Sequence, residues 1–132
     1  MADTESADLL VGMMRDSIVE LVRQDGPDLT ARQLGVMLIC YTEPEAQTVR
    51  GLAARLDVSK PAITRALDRL AEFDLVKRKT DPLDRRSVLI HRTPAGMNYI
   101  RDLRATLRDA ARGPRTRQPI LADRGAPMRA MR

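Results

Sequence analysis

The chain has no tryptophan, and aromatic residues make up 2% of it: Tyr41, Phe73 and Tyr99. Its core must therefore be aliphatic. Modules that stack single-stranded bases on several rings lack their material here. A single cysteine, Cys40, excludes an internal disulfide and fits a reducing compartment. The lone histidine, His91, stands beside Arg92 and makes a poor metal site, so no metal is expected. No apolar run approaches the length of a membrane span. The opening "MADTESADLL" carries acids where a secretory signal needs positive charge, so a cytoplasmic protein without a membrane partner is expected. There is no phosphate-cradling glycine loop and no clustered acid–base pair, hence no expected enzyme activity and no cofactor. No internal repeat is present.

What remains is an ordinary globular composition, 43% hydrophobic and 31% charged over 132 residues, enough for one domain with a real core. The net charge of +5 is unevenly spread. Residues 1–30 hold seven acids against Arg15 and Arg23, a net −5, which leaves +10 on the rest. A basic body favours a polyanionic partner, with duplex DNA the leading candidate. Solubility alone is the plainer explanation of such a charge.

Helical periodicity begins near Thr4 and runs to about Gln24, with Leu10, Met14, Ile18 and Leu21 on one stripe, widened by Met13 and Val22. "QDGPD" ends it. Thr30 and Gln33 form a capping box, and Leu29 and Leu34 are spaced as a hydrophobic staple. The helix they open, "LGVMLICY", is apolar nearly all round and should be buried on several sides. Thr48 caps a third helix with Val49, Leu52, Ala53 and Leu56 inward. Asp57 falls where the chain needs a left-handed residue. Ser59 caps a fourth helix, and Pro61 sits in its first turn, where a missing N–H costs nothing. After Glu72 the period changes: "FDLVKRKT" and "SVLIHRT" flank "DPLDRR", a β-hairpin with a charged tip. Thr93 and Pro94 open a last helix to about Arg112, with Ile100, Leu103 and Leu107 inward. From Gly113 the arginine-rich tail shows no periodicity and should be disordered.

Helix, tight turn, helix and hairpin spell a winged helix-turn-helix, mainly α with a small β-hairpin wing, flanked by N- and C-terminal helices. The boundaries follow: residues 1–28 an N-terminal helix, 29–93 the winged domain, 94–112 a C-terminal helix, 113–132 a basic tail. In such a module the second helix, about residues 59–72, enters the major groove. With Ile63, Leu67 and Leu70 inward, Pro61, Thr64, Arg65 and Asp68 point out. Ser59 and Lys60 add to the attraction of the helix N-terminus for a phosphate. Arg65 suits a guanine edge, and Thr64 a base edge or thymine methyl. Arg85 and Arg86 at the hairpin tip suit a narrow minor groove. Lys77, Arg78 and Lys79 either neutralise phosphates or decorate a strand. Thr48, Ala62, Arg69 and Asp84 complete the candidate DNA contacts. Asp68 beside Arg65, and Glu72 beside Arg69, also read as surface ion pairs, Asp68 holding Arg65 in orientation. Cys40 lies in an apolar helix with no signal for a lowered pKa, against a redox sensor.

The stretches "TVRGLAARLDVSKPAITRALDRL", "LVKRKTDPLDRRSVLI" and "TPAG" closely resemble the MarR family of bacterial transcriptional regulators, over about Leu29 to Leu103. The resemblance implies a DNA-binding homodimer on pseudo-palindromic sites, with Ser59 to Arg65 as recognition-helix contacts. Asp84 and Arg86 match the family's Asp-x-Arg wing motif, which places an arginine in the minor groove. It implies action in the bacterial cytoplasm at the nucleoid, and often a small phenolic or lipophilic effector, which no residue here selects. Two departures stand out. Arg92-Thr93 replaces the family's usual Leu-Thr before the last helix, and the region that normally helps clasp the dimer ends here in the basic tail, which leaves dimerisation to the helices of residues 1–28 and 94–112. A sequence-specific repressor is the first expectation. A non-specific architectural DNA binder and a winged-helix protein-interaction module are the competing ones.

Overall fold

The computed structural model describes residues 2–113. Five helices and three short strands follow in the order α1 (Ala2–Arg23), α2 (Ala31–Thr42), β1 (Gln47–Thr48), α3 (Val49–Leu56), α4 (Lys60–Glu72), β2 (Val76–Asp81), β3 (Asp84–Arg92) and α5 (Pro94–Ala111). This is a winged helix-turn-helix between flanking helices. The tail from residue 114, expected to be disordered, lies outside the described residues.

Local chemistry sets most boundaries. Thr30 and Gln33 close a reciprocal capping box at α2: the Gln33 N–H donates to Thr30 Oγ1 at 3.2 Å, and the Thr30 N–H to Gln33 Oε1 at 3.0 Å. Thr48, Ser59 and Thr93 each accept from the amide three residues on, opening α3, α4 and α5. Asp57 ends α3 at φ 53 and ψ 49, the left-handed conformation that a short polar side chain tolerates. Asp74, at φ 58, does the same after α4.

The core is aliphatic. Val36 and Met37 of α2, Leu52 of α3, Ile63, Leu67 and Leu70 of α4, and Val76 of β2 are fully enclosed. Two small strand residues, Gln47 and Thr48, add a third strand that periodicity did not reveal. They pair with Ile90 and Leu89, so the antiparallel sheet runs β1-β3-β2. Tyr41 ties the sheet to the helices. Its hydroxyl donates to Leu75 O at 2.6 Å and accepts from the Thr93 N–H at 3.0 Å. Gly96 leaves room for that hydroxyl: a Cβ there would stand 1.7 Å from Tyr41 Oη and 2.4 Å from Leu75 O.

Three expectations need correction. The first helix begins at Ala2, since nothing before Thr4 disfavours a helix. Its apolar stripe is largely exposed, with Leu10, Met14, Ile18 and Val22 uncovered and Val22 at 72%, because α1 packs mainly along α5. That packing runs through buried Ser17 and Thr106, with Gln24 Nε2 donating to Thr106 Oγ1 at 3.3 Å. Leu107, expected inward, is exposed. Arg85 and Arg86 are not at the hairpin tip but open β3. The Asp81 and Asp84 carboxylates accept from the Leu83 and Arg86 amides at 2.9 and 3.1 Å, closing a two-residue turn at Pro82-Leu83.

Candidate nucleic-acid interface

The face of α4 is split by its own sequence. Every inward position is aliphatic, and the outward ones are Ser59, Lys60, Pro61, Thr64, Arg65, Asp68 and Arg69. In the amino-terminal half, Lys60 and Arg65 have no ion-pair partner among the described residues. In the carboxyl-terminal half the charges are matched within the protein. Arg69 meets Glu72 at 2.8 Å and lies over the Phe73 ring, 4.6 Å from its centroid. Asp68 pairs with Arg78 of β2 at 2.6 Å. The cationic end of α4 is therefore its beginning, where the helix dipole is also positive.

Ser59 and Thr48 spend their hydroxyls as caps, yet Ser59 stays exposed beside Lys60 and Pro61. Ala62, a candidate contact, is 6% exposed and packs inward. Its methyl falls on the α2 side of the helix rather than the outward one. Asp68 does not orient Arg65: the sheet presents Arg78 closer, and the pair ties α4 to the wing. Arg78 and Arg69 are thereby partly neutralised; the Arg69–Glu72 pair was expected, whereas the sequence could not disclose Asp68–Arg78 because Arg78 lies ten residues away on another element.

The wing carries Arg85 and Arg86 at its far end, with Arg86 side chain 92% exposed. Asp84 shapes the turn through the Arg86 amide and stands 4.0 Å from the Arg86 guanidinium. Leu83 at the tip is 95% exposed. Paired residues of adjacent strands share a sheet face. Lys77 and Lys79, opposite His91 and Leu89, lie on the face opposite to that of Val76, Arg78 and Ile90, which packs against the core. Lys77 and Lys79 are exposed cations there, set apart from the α4 cluster.

Arg92, one of the two departures from the family pattern, has a clear place. Its Nε donates to Cys40 O at 2.9 Å and its Nη2 to Glu43 O at 2.8 Å, serving the last carbonyls of α2. Cys40 is buried, and burial pushes its thiol up to about 11 against a smaller opposing pull from Arg92. A protonated, enclosed thiol is inert towards oxidants. Among the described residues no cluster of His, Cys, Asp or Glu could hold a metal ion, and no helix is long and apolar enough to cross a membrane.

Two grooves flank these elements. One of about 420 Å³ lies between α1 and α5, lined by Asp16, Glu20, Asp102 and Asp109 among others. Its carboxylates repel an anionic ligand. The other, about 410 Å³, lies between the first turn of α2 and α4, with Arg32 on one side and Arg65 on the other. Arg32 escaped the sequence reading because it sits outside the helix-turn-helix stretch; only the fold brings it beside Arg65.

Comparison with known proteins gives a consistent picture. Residues 29–88 match the model of the MarR family. A Thauera aromatica protein named for transcriptional regulation of the hcr operon is 34% identical over 73 residues, covering 47% of this chain and 44% of that protein. The chain thus spans less than half the length of that relative. Transcriptional regulator Tm0710 from Thermotoga maritima superposes with a TM-score of 0.70 at 20% identity, over 81% of this chain and 72% of that one. A mutant MepR of S. aureus bound to an oligodeoxyribonucleotide gives 0.70 at 18% identity, over 85% and 80%. The structure of MarR gives 0.60 at 28% identity, over 79% and 76%. These structures share the winged-helix fold described above.

Proposed function

We propose, from the match of residues 29–88 to the model of the MarR family, that this protein is a sequence-specific DNA-binding transcriptional regulator, not an enzyme. It acts as a repressor and a homodimer on a pseudo-palindromic site. The beginning of α4 enters the major groove, with Arg65 and Thr64 at base edges and Ser59, Lys60 and Pro61 along the rim. The wing reaches the minor groove through Arg86, with Arg85 beside it. Its place of action is the bacterial cytoplasm, at the nucleoid.

The observation that carries this reading is the division of α4. The half at the helix N-terminus presents cations with no partner among the described residues, and the half towards the wing pairs its charges within the protein. A solvated face would show no such division. The dimer is supported by the apolar residues that α1 leaves uncovered: Leu9, Leu10, Val11, Met14 and Val22, each more than 60% exposed. So many exposed large apolar side chains on one helix favour an interface. Leu107 of α5 adds to it. With α1 and α5 as the dimerisation helices, the two recognition helices are set for half-sites about one helical turn apart.

Selection from a pool of randomised duplexes tests this. The expected product is an inverted repeat whose two halves are centred about 10 base pairs apart. A single unrepeated half-site would refute the dimer, and the absence of any enriched sequence would refute specific reading and favour an architectural role.

A further inference from the structure

Arg32 and Arg65 come from helices separated by a third, yet they line one groove together with Thr30, Gln33, Ala62 and Ala66. The approach is close because α4 turns only methyl groups towards α2: Ala62 and Ala66 are 6% and 4% exposed. Neither guanidinium forms an ion pair or hydrogen bond within the described residues. Gln33 and Thr30 are committed to the capping box. What the groove offers a ligand is therefore two unneutralised guanidinium groups and the Ala31 and Arg32 amides that open α2, the Gln33 amide being taken by Thr30.

That set of donors suits a phosphate. A recognition helix lying in the major groove is walled by the sugar-phosphate backbone on either side, and α2 stands beside α4 at one of those walls. Arg32, one helix back from the base edges, reaches the rim and not the floor. We propose that Arg32 is a DNA-backbone anchor: its guanidinium holds a phosphate in the groove shared with Arg65, fixing the height of α4 while Arg65 reads the bases. This rests on the DNA-reading function proposed above.

The test uses the full chain, the selected inverted repeat and a scrambled duplex of equal length, with fluorescence anisotropy over about 50 to 200 mM salt. Arg32 is exposed and unpaired, so its replacement leaves the fold intact, as a thermal melt will verify. Arg32→Ala should weaken binding to both duplexes by the same factor, roughly three- to tenfold, and reduce the salt slope by about 0.9 per subunit. Arg32→Lys should keep most of the slope, because the charge remains. Unchanged affinity and slope in Arg32→Ala would overturn the proposal. So would a loss confined to the selected duplex, which would make Arg32 a reader of bases. If wild type fails to separate the two duplexes while Arg32→Ala weakens both, the anchor stands and sequence-specific reading falls. If wild type binds neither duplex, both fall.

Discussion

Arg92 does two things that a leucine in its place would not. It serves the Cys40 and Glu43 carbonyls at the end of α2, and its charge opposes the rise that burial imposes on the Cys40 thiol. Burial wins, holding that thiol at about 11 against an ordinary 9.0. Between these values the unfolded chain releases the Cys40 proton and the folded protein keeps it. Stability is thus full below pH 9 and falls as pH rises towards 11, by on the order of 2–3 kcal/mol. Tyr99, also raised by burial and then by Asp28, adds to the fall in the same direction. Urea denaturation at successive pH values should show this decline, and Cys40→Ala should make it shallower without abolishing it. An equally steep decline in the variant would remove Cys40 from the account. At this scale the sequence is legible where a residue acts on its neighbours. Thr30, Thr48, Ser59 and Thr93 cap as their spacing predicts, and Asp57 turns left-handed where expected. It is illegible where the partner is remote: nothing near Arg92 announces α2, and nothing near Asp68 announces Arg78.

Among the elements, the hairpin illustrates a partial reading. Pro and Asp in "DPLDRR" mark a turn, but which two residues form it depends on side-chain oxygens reaching back to amides. The turn is Pro82-Leu83, so both arginines move into β3. Arg86 then projects from the irregular start of β3, where the pairing jumps from Thr80–Val88 to Asp81–Asp84 and the Arg86 amide is held by the Asp84 carboxylate. Arg86→Ala should cost about 1 kcal/mol of DNA affinity and leave the preferred bases under α4 unchanged. Anisotropy combined with a repeated selection would measure both, and unchanged affinity would take the wing out of the interface. Strand β1 went unseen because two residues carry no period, and pairing with Gln47 and Thr48 is decided by β3. Helix α1 was visible as a helix, but how much of its apolar surface the fold would leave uncovered was not. Its apolar residues spread over more than the one stripe that α5 covers, and most of them stay exposed among the described residues.

For the whole molecule, charge and shape point the same way. The acids concentrate in the first 30 residues and the cations in the rest. Folding sets α1 against α5, while α4 and the wing extend from the helix-turn-helix and sheet. The basic patch that composition could only count is thereby resolved into committed and uncommitted cations. Arg69 and Arg78 have partners, whereas Lys60, Arg65 and Arg32 have none among the described residues. The central claim is that Arg65 reads bases, and the direct measurement compares wild type with Arg65→Ala on the selected site and on a scrambled duplex. The account predicts a loss of about 1–3 kcal/mol on the selected site and a much smaller one on the scrambled duplex. An equal loss on both would mean that Arg65 contributes only charge, and α4 would no longer be the element that reads the sequence.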